Sequence, residues 1–126
     1  MKNIPFWFLV FLGGGLGSVC RFWLSQGVNA HLRWAKLPWG TLTVNVIGCW
    51  LIGLVLAYLE KQPHPRQEWV LLLTTGFCGG FTTFSAFAFE QQILLRQGFG
   101  FALYVGLSLI LGLGAVYAGI WMGQRL

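Results

Sequence analysis

The chain has 126 residues, 56% of them hydrophobic and only 9% charged, with a mean hydropathy of +0.70. A soluble domain of this size carries about a quarter charged residues, so the composition excludes one and indicates an integral membrane protein with little chain outside the bilayer. The net charge of +5 comes from dispersed Lys and Arg. No basic cluster is available to track phosphates, so a nucleic-acid partner is not expected.

A spanning helix needs about 20 mainly apolar residues. Four segments qualify: 4–26, 39–59, 69–95 and 99–122. The first contains GGGLG and Arg21 and has no clear small-residue cleavage site, so it reads as a span and not as a signal peptide. The connections NAHLRWAKLP (29–38), EKQPHPRQE (60–68) and RQG (96–98) leave no room for a soluble domain. Residues 1–126 are therefore read as one transmembrane domain in a lipid bilayer. Trp7, Trp34, Trp39, Trp69 and Trp121 fall near segment ends, where an interfacial aromatic belt places them; Trp50 is mid-segment and does not fit. Cys20, Cys49 and Cys78 all lie in apolar segments and read as small buried hydrophobes. His31 and His64 read as solvated loop residues.

Orientation is weakly specified. The N-terminus, second connection and C-terminus share one side and carry Lys2, Lys61, Arg66 and Arg125. The other side carries Arg33, Lys36 and Arg96, joined by Arg21 if it reaches the surface. Topology follows the Lys and Arg bias and largely ignores acids. A near-even tally lets the chain insert both ways, and two opposed copies would form an antiparallel dimer.

The polar residues at membrane depth carry the functional argument. In the first span, Gly13-x-x-x-Gly17 is a small-residue face for close helix packing. It is not a phosphate loop, because no strand precedes it and no Lys-Ser/Thr follows. Arg21 lies one turn beyond Gly17, either snorkelling to the interface or drawing an anion toward a pore mouth. The second span, GTLTVNVIGCW (40–50), sets Thr41 and Asn45 on one face, continued by Gly48 and Cys49. An Asn at this depth needs a partner: an interhelical hydrogen bond, or an ion path to line.

The third span reads GFCGGFTTFSAF over 76–87. Gly76, Gly79 and Gly80 weaken the helix, and Thr82, Thr83 and Ser85 can bond back to the backbone. Non-helical backbone at this depth survives only when buried in protein or lining a cavity. Freed carbonyls there are hard ligands suited to a cation such as Na⁺, and without a carboxylate cluster a divalent site is not expected. Phe81, Phe84 and Phe87 follow at spacings of three. Such phenylalanines either pack or turn their positive ring edges to an anion. Glu90 is an intramembrane candidate for function, or an acid solvated near the interface. On the fourth span Tyr104, Ser108, Gly112 and Ala115 make a polar-to-small face, for packing or for a narrow path. Together these positions offer neutral donors, aromatic edges and almost no fixed charge. That suits a small anion whose water shell must be replaced and which must still leave.

The stretches GGGLGSVCRF (13–22), WGTLTVNVIGCWLIG (39–53) and GFCGGFTTFSAFAFE (76–90) resemble the Fluc/CrcB fluoride channel family over nearly the whole chain. The resemblance implies an all-α membrane protein with four transmembrane helices, the third broken, paired as an antiparallel dual-topology homodimer in the bacterial inner membrane. It implies passive fluoride-selective export, fluoride resistance and a structural Na⁺ at the dimer centre. By motif position the carbonyls of Gly79 and Thr82 would hold that Na⁺. Phe84 and Phe87 would face fluoride, Asn45 would be the pore amide, and Ser108 with Tyr104 a polar track. Thr41 and Ser85 would join the pore donors, and Arg21 would stand near the entrance. Ala86 departs from the family's usual hydroxyl beside the second Phe, and Gly112 from a further hydroxyl on the track.

Other function classes fit less well. A small multidrug exporter of four helices depends on a Glu in its first helix, and this first span has no acid. A membrane scaffold would explain the small-residue faces but not Asn45 together with the polar break. An enzyme is not expected, because no intramembrane Cys–His pair or carboxylate dyad supplies a nucleophile and base.

Overall fold

The computed structural model describes residues 4–33 and 36–126; Lys2 and Trp34, counted above, lie outside the described residues. The elements are α1 (Phe6–His31), α2 (Trp39–Glu60), α3 (Gln67–Val70), a π-helical segment (Leu71–Cys78), α4 (Gly79–Phe81), α5 (Phe84–Gln97) and α6 (Phe101–Gly123). Four stretches are long and apolar enough to cross a membrane: α1, α2, the run Gln67–Gln97, and α6.

The helix ends follow local chemistry. α1 runs past the expected end at Gln26 to His31, where the Leu32 N–H closes the last turn on the Val28 carbonyl. His31 is thus a helix residue and not a loop residue, and its Nδ1–H donates to the Gly27 carbonyl at 2.8 Å. α2 opens just after Pro38, and Asn29 Oδ1 accepts the otherwise unpaired Gly40 N–H at 2.9 Å. The tight turn between α5 and α6 rests on Gly98 and Gly100, at φ +67° and +82°, which a Cβ would strain.

Packing sorts the spans into two parallel pairs. α2 lies along α6: Gly53 meets the Val116 carbonyl and Gly119 meets the Trp50 carbonyl, each with no room for a Cβ. α1 lies along the first half of the third span, where Gly13 meets the Leu72 carbonyl and Gly17 the Phe77 carbonyl. The Gly13-x-x-x-Gly17 face is therefore a packing face, with both glycines buried. The mid-span Trp50 also has a packing role, its Nε1–H donating to Met122 Sδ at 3.4 Å.

The buried core is small. Leu42, Leu94 and Tyr104 are its centre, with Phe87 and Leu107 packed against them. Much of the remaining apolar surface is exposed, including Phe84, Ile110, Leu113 and Tyr117. Lipid or another protein surface must cover it, since exposed apolar area on this scale is unfavourable in water.

Candidate functional site: a broken helix beside a polar groove

The third span breaks at Thr82 and Thr83, which are extended (φ −81°, ψ 156° and φ −147°, ψ 114°). The cause is a set of competing hydrogen bonds. Asn45 on α2 takes both backbone groups of Thr83: its Oδ1 accepts the Thr83 N–H at 2.8 Å, and its Nδ2 donates to the Thr83 carbonyl at 3.1 Å. Thr83 in turn caps α5, its Oγ1 accepting the Ala86 N–H at 3.2 Å. In a continuous helix the Thr83 N–H would serve the Gly79 carbonyl, and the Ala86 N–H the Thr82 carbonyl. Both donors are diverted, so the Gly79 and Thr82 carbonyls lose their helical partners.

The glycines act differently from expectation. Gly76 lies within the helical segment before the break and packs on Gly13, while Gly80 packs on the Gly14 backbone. They allow close approach to α1, and the threonines with Asn45 make the break. Ser18 Oγ adds a bond to the Gly80 carbonyl at 3.3 Å.

A groove of about 730 Å³ opens along this break between α2, the third span and α6. Asn45, Gly79, Thr82, Phe84, Phe87 and Ser108 are among its lining residues. The Phe84 and Phe87 rings lie 5.8 Å apart at 39°. Phe84 is 79% exposed, an extreme for phenylalanine, and projects from the surface beside the groove. Ser108 Oγ is buried without a hydrogen-bond partner among the described residues. Phe81 does not join the other two rings; it is buried before the break and stacks on Phe77 at 5.7 Å.

Thr41 and Tyr104 turn away from the groove to a second polar cluster. Thr41 Oγ1 donates to Glu90 Oε1 at 2.5 Å, and Tyr104 Oη donates to Glu90 Oε2 at 3.0 Å. The Tyr104 hydroxyl is also 3.3 Å from the Pro38 carbonyl. Tyr104 is fully buried and its ring stacks on Phe87 at 5.6 Å, so the cluster abuts the groove. Ser85 is exposed, with its Oγ 3.2 Å from Thr83 Oγ1. Arg21 is half-buried on α1 and lines neither the groove nor this cluster. Sequence reasoning missed the Glu90 clasp, although Thr41, Glu90 and Tyr104 were each singled out. Their pairing depends on how three helices meet, which no spacing within one helix encodes.

The groove lining brings together the neutral side chains of Asn45 and Ser108 and the rings of Phe84 and Phe87, with no Lys or Arg among its lining residues. Its two released carbonyls are hard oxygen ligands of the type that coordinate an alkali cation. Among the described residues no three His, Cys, Asp or Glu side chains come together as a metal site.

Comparison with known proteins agrees with this architecture. Residues 8–120 match the family described as CrcB-like protein, Camphor Resistance (CrcB). A protein of Bacteroides fragilis named fluoride-specific ion channel FluC is 46% identical over 129 residues, covering 99% of this chain and 98% of its own length. Proteins of the same name from Leptospira interrogans and Phocaeicola vulgatus are 43% identical over 116 residues and 44% over 118. They cover 90% and 92% of this chain, and 91% and 96% of their own lengths. With four membrane-crossing stretches and a family match over most of its length, this multi-pass membrane protein belongs to the CrcB-like family.

Proposed function

We propose that the chain is a fluoride-selective passive channel that lets fluoride leave the cytoplasm, working as an antiparallel homodimer with a structural Na⁺ at its centre. The observation that carries this reading is the groove beside the break, where Asn45, Ser108, Phe84 and Phe87 offer neutral donors and ring edges with no fixed cation. Relatives named fluoride-specific ion channels, similar over nearly the whole chain, support the choice of ion. They are channels and not enzymes.

Fluoride is small and strongly hydrated, and an ion leaving water for a low-dielectric path loses much of its solvation. Ser108 Oγ, unpartnered and buried, is a donor held ready for it. The second proton on Asn45 Nδ2 is another, since one proton is committed to Thr83. The edges of Phe84 and Phe87 carry partial positive charge. They attract the ion without the deep well a guanidinium or ammonium would create, and a conducting site must release what it binds.

The Gly79 and Thr82 carbonyls, deprived of their helical donors, would hold Na⁺ with the same pair from a second copy. A cation there supplies positive charge and ties two broken helices together. The exposed apolar surface around Phe84 supports a second copy as its cover, and the near-even Lys and Arg tally supports opposed insertion.

Fluoride efflux from liposomes tests the reading. Vesicles loaded with potassium fluoride and given valinomycin should lose fluoride rapidly with no pH gradient, while chloride-loaded controls retain chloride. Retained fluoride with well-folded protein, or efflux that requires a proton gradient, would remove the channel reading.

A further inference from the structure

Beyond Glu90 lies a second cavity, of about 300 Å³, bounded by the end of α1, the α1–α2 connection and α5. Its polar lining is Asn29, Arg33, Lys36, Glu90 and Gln97. The groove and this cavity are joined by an unbroken run of contacts. Phe87 lines the groove and stacks on Tyr104. Tyr104 donates to Glu90, and Glu90 lines the cavity. The clasp of Thr41, Tyr104 and Glu90 lies between the two spaces, with the buried Leu42 and Leu94 packed beside Tyr104.

The cavity differs from the groove in charge. Arg33 and Lys36 are exposed cations on its rim, while Glu90 is set deeper and accepts a hydroxyl proton on each carboxylate oxygen. Lys36 Nζ stands 5.6 Å from the centre of the Phe99 ring, a weak contact that keeps it at the mouth. Asn29 spends its Oδ1 on Gly40, which leaves its amide protons as the group it can offer. Two cations, two neutral amides and one satisfied carboxylate make a mouth that favours an anion.

We propose that this cavity is the second mouth of the conduction path, and that Arg33 and Lys36 there raise the local concentration of the permeant anion. The proposal rests on the channel reading and assigns these residues to the supply of ions, not to their selection in the groove. Clefts lined by one sign of charge concentrate counter-ions and speed their arrival. Because both cations are exposed, the effect must fade as salt shortens the screening length from about 30 Å at 0.01 M to about 3 Å at 1 M.

Single-channel recording in planar bilayers, at low and at high ionic strength, tests this. The double variant R33Q/K36Q should lose at least about twofold in fluoride conductance at low salt and approach wild type at high salt. Arg96→Gln removes a cation from the same end of the molecule but outside the cavity lining, and should track wild type at both. The charge-preserving R33K/K36R should keep wild-type conductance. If R33Q/K36Q tracks wild type at low salt, or R96Q falls as far as it does, the mouth is overturned while the channel reading stands. A silent wild type overturns both.

Discussion

Asn45 holds Thr83 by both of its backbone polar groups, at 2.8 and 3.1 Å, and so fixes the place where the third span stops being a helix. A side-chain amide has the same donor and acceptor geometry as a backbone peptide, so Asn45 stands in for a missing turn. It does so across helices, which ties the break to the position of α2. The same exchange leaves the Gly79 carbonyl without its helical donor, as the Thr83 cap on Ala86 does for the Thr82 carbonyl.

Replacing Asn45 with Ala should therefore damage structure and transport together. Thr83 N–H and C=O would be left without partners, a cost of about 1–3 kcal/mol for a buried group. Thermal unfolding in detergent should shift down, and liposome fluoride flux should vanish. Unchanged stability would mean that the break holds without Asn45.

Phe84 and Phe87 should separate transport from stability. Ile at either position removes the ring edge, and we expect fluoride flux to be abolished. Phe84 is 79% exposed on the single chain and lies on the face a second copy would cover, so Phe84→Ile, which keeps an apolar side chain there, should leave the folded dimer intact. Phe87 stacks on Tyr104, so Phe87→Ile should cost about 0.5–1.5 kcal/mol. Normal flux in either folded variant would count against the ring-edge account.

Tyr104→Phe keeps the ring against Phe87 and removes only the hydroxyl. Glu90 Oε2 and the Pro38 carbonyl then lose that donor. The expected loss is about 1–3 kcal/mol, read by thermal unfolding, with slower fluoride flux. A variant as stable and as fast as wild type would show that the clasp on Glu90 is dispensable.

Two glycine substitutions test the packing. At Gly17 a Cβ would run into the Phe77 carbonyl, which cannot give way without moving the third span, so Gly17→Ala should cost about 1–3 kcal/mol. At Gly106 a Cβ meets nothing within 4 Å, and Gly106→Ala should leave stability within about 1 kcal/mol of wild type. Unfolding measured side by side decides it, and equal effects would contradict the close approach of α1 and the third span.

Much of this was legible in the residues. Apolar length set the four spans, and the cluster Gly76–Ser85 marked the third as broken. Asn45 announced itself as an amide at membrane depth. The rest depended on distance in space. Nothing in the third span alone says that Thr83 will bond an amide 38 residues earlier, or that Gly80 serves α1 instead of the break. Thr41 shares a helical face with Asn45, yet it turns to Glu90 because α5 crosses there and presents a carboxylate. Phe81 shares the three-residue spacing of Phe84 and Phe87, but the extended Thr82 and Thr83 interrupt that periodicity and leave it in the packed half. α1 continues to His31, beyond the apolar run, because backbone helix bonding extends through a mixed stretch that apolar length alone does not mark.

The most direct test of the central claim is the reversal potential of the purified protein in a planar bilayer, with a fluoride gradient set against an opposing chloride gradient. Currents should reverse at the fluoride equilibrium potential and should not move when a pH gradient is added. Reversal at the chloride potential, or a shift with pH, would contradict a fluoride-selective passive path through the groove beside Asn45.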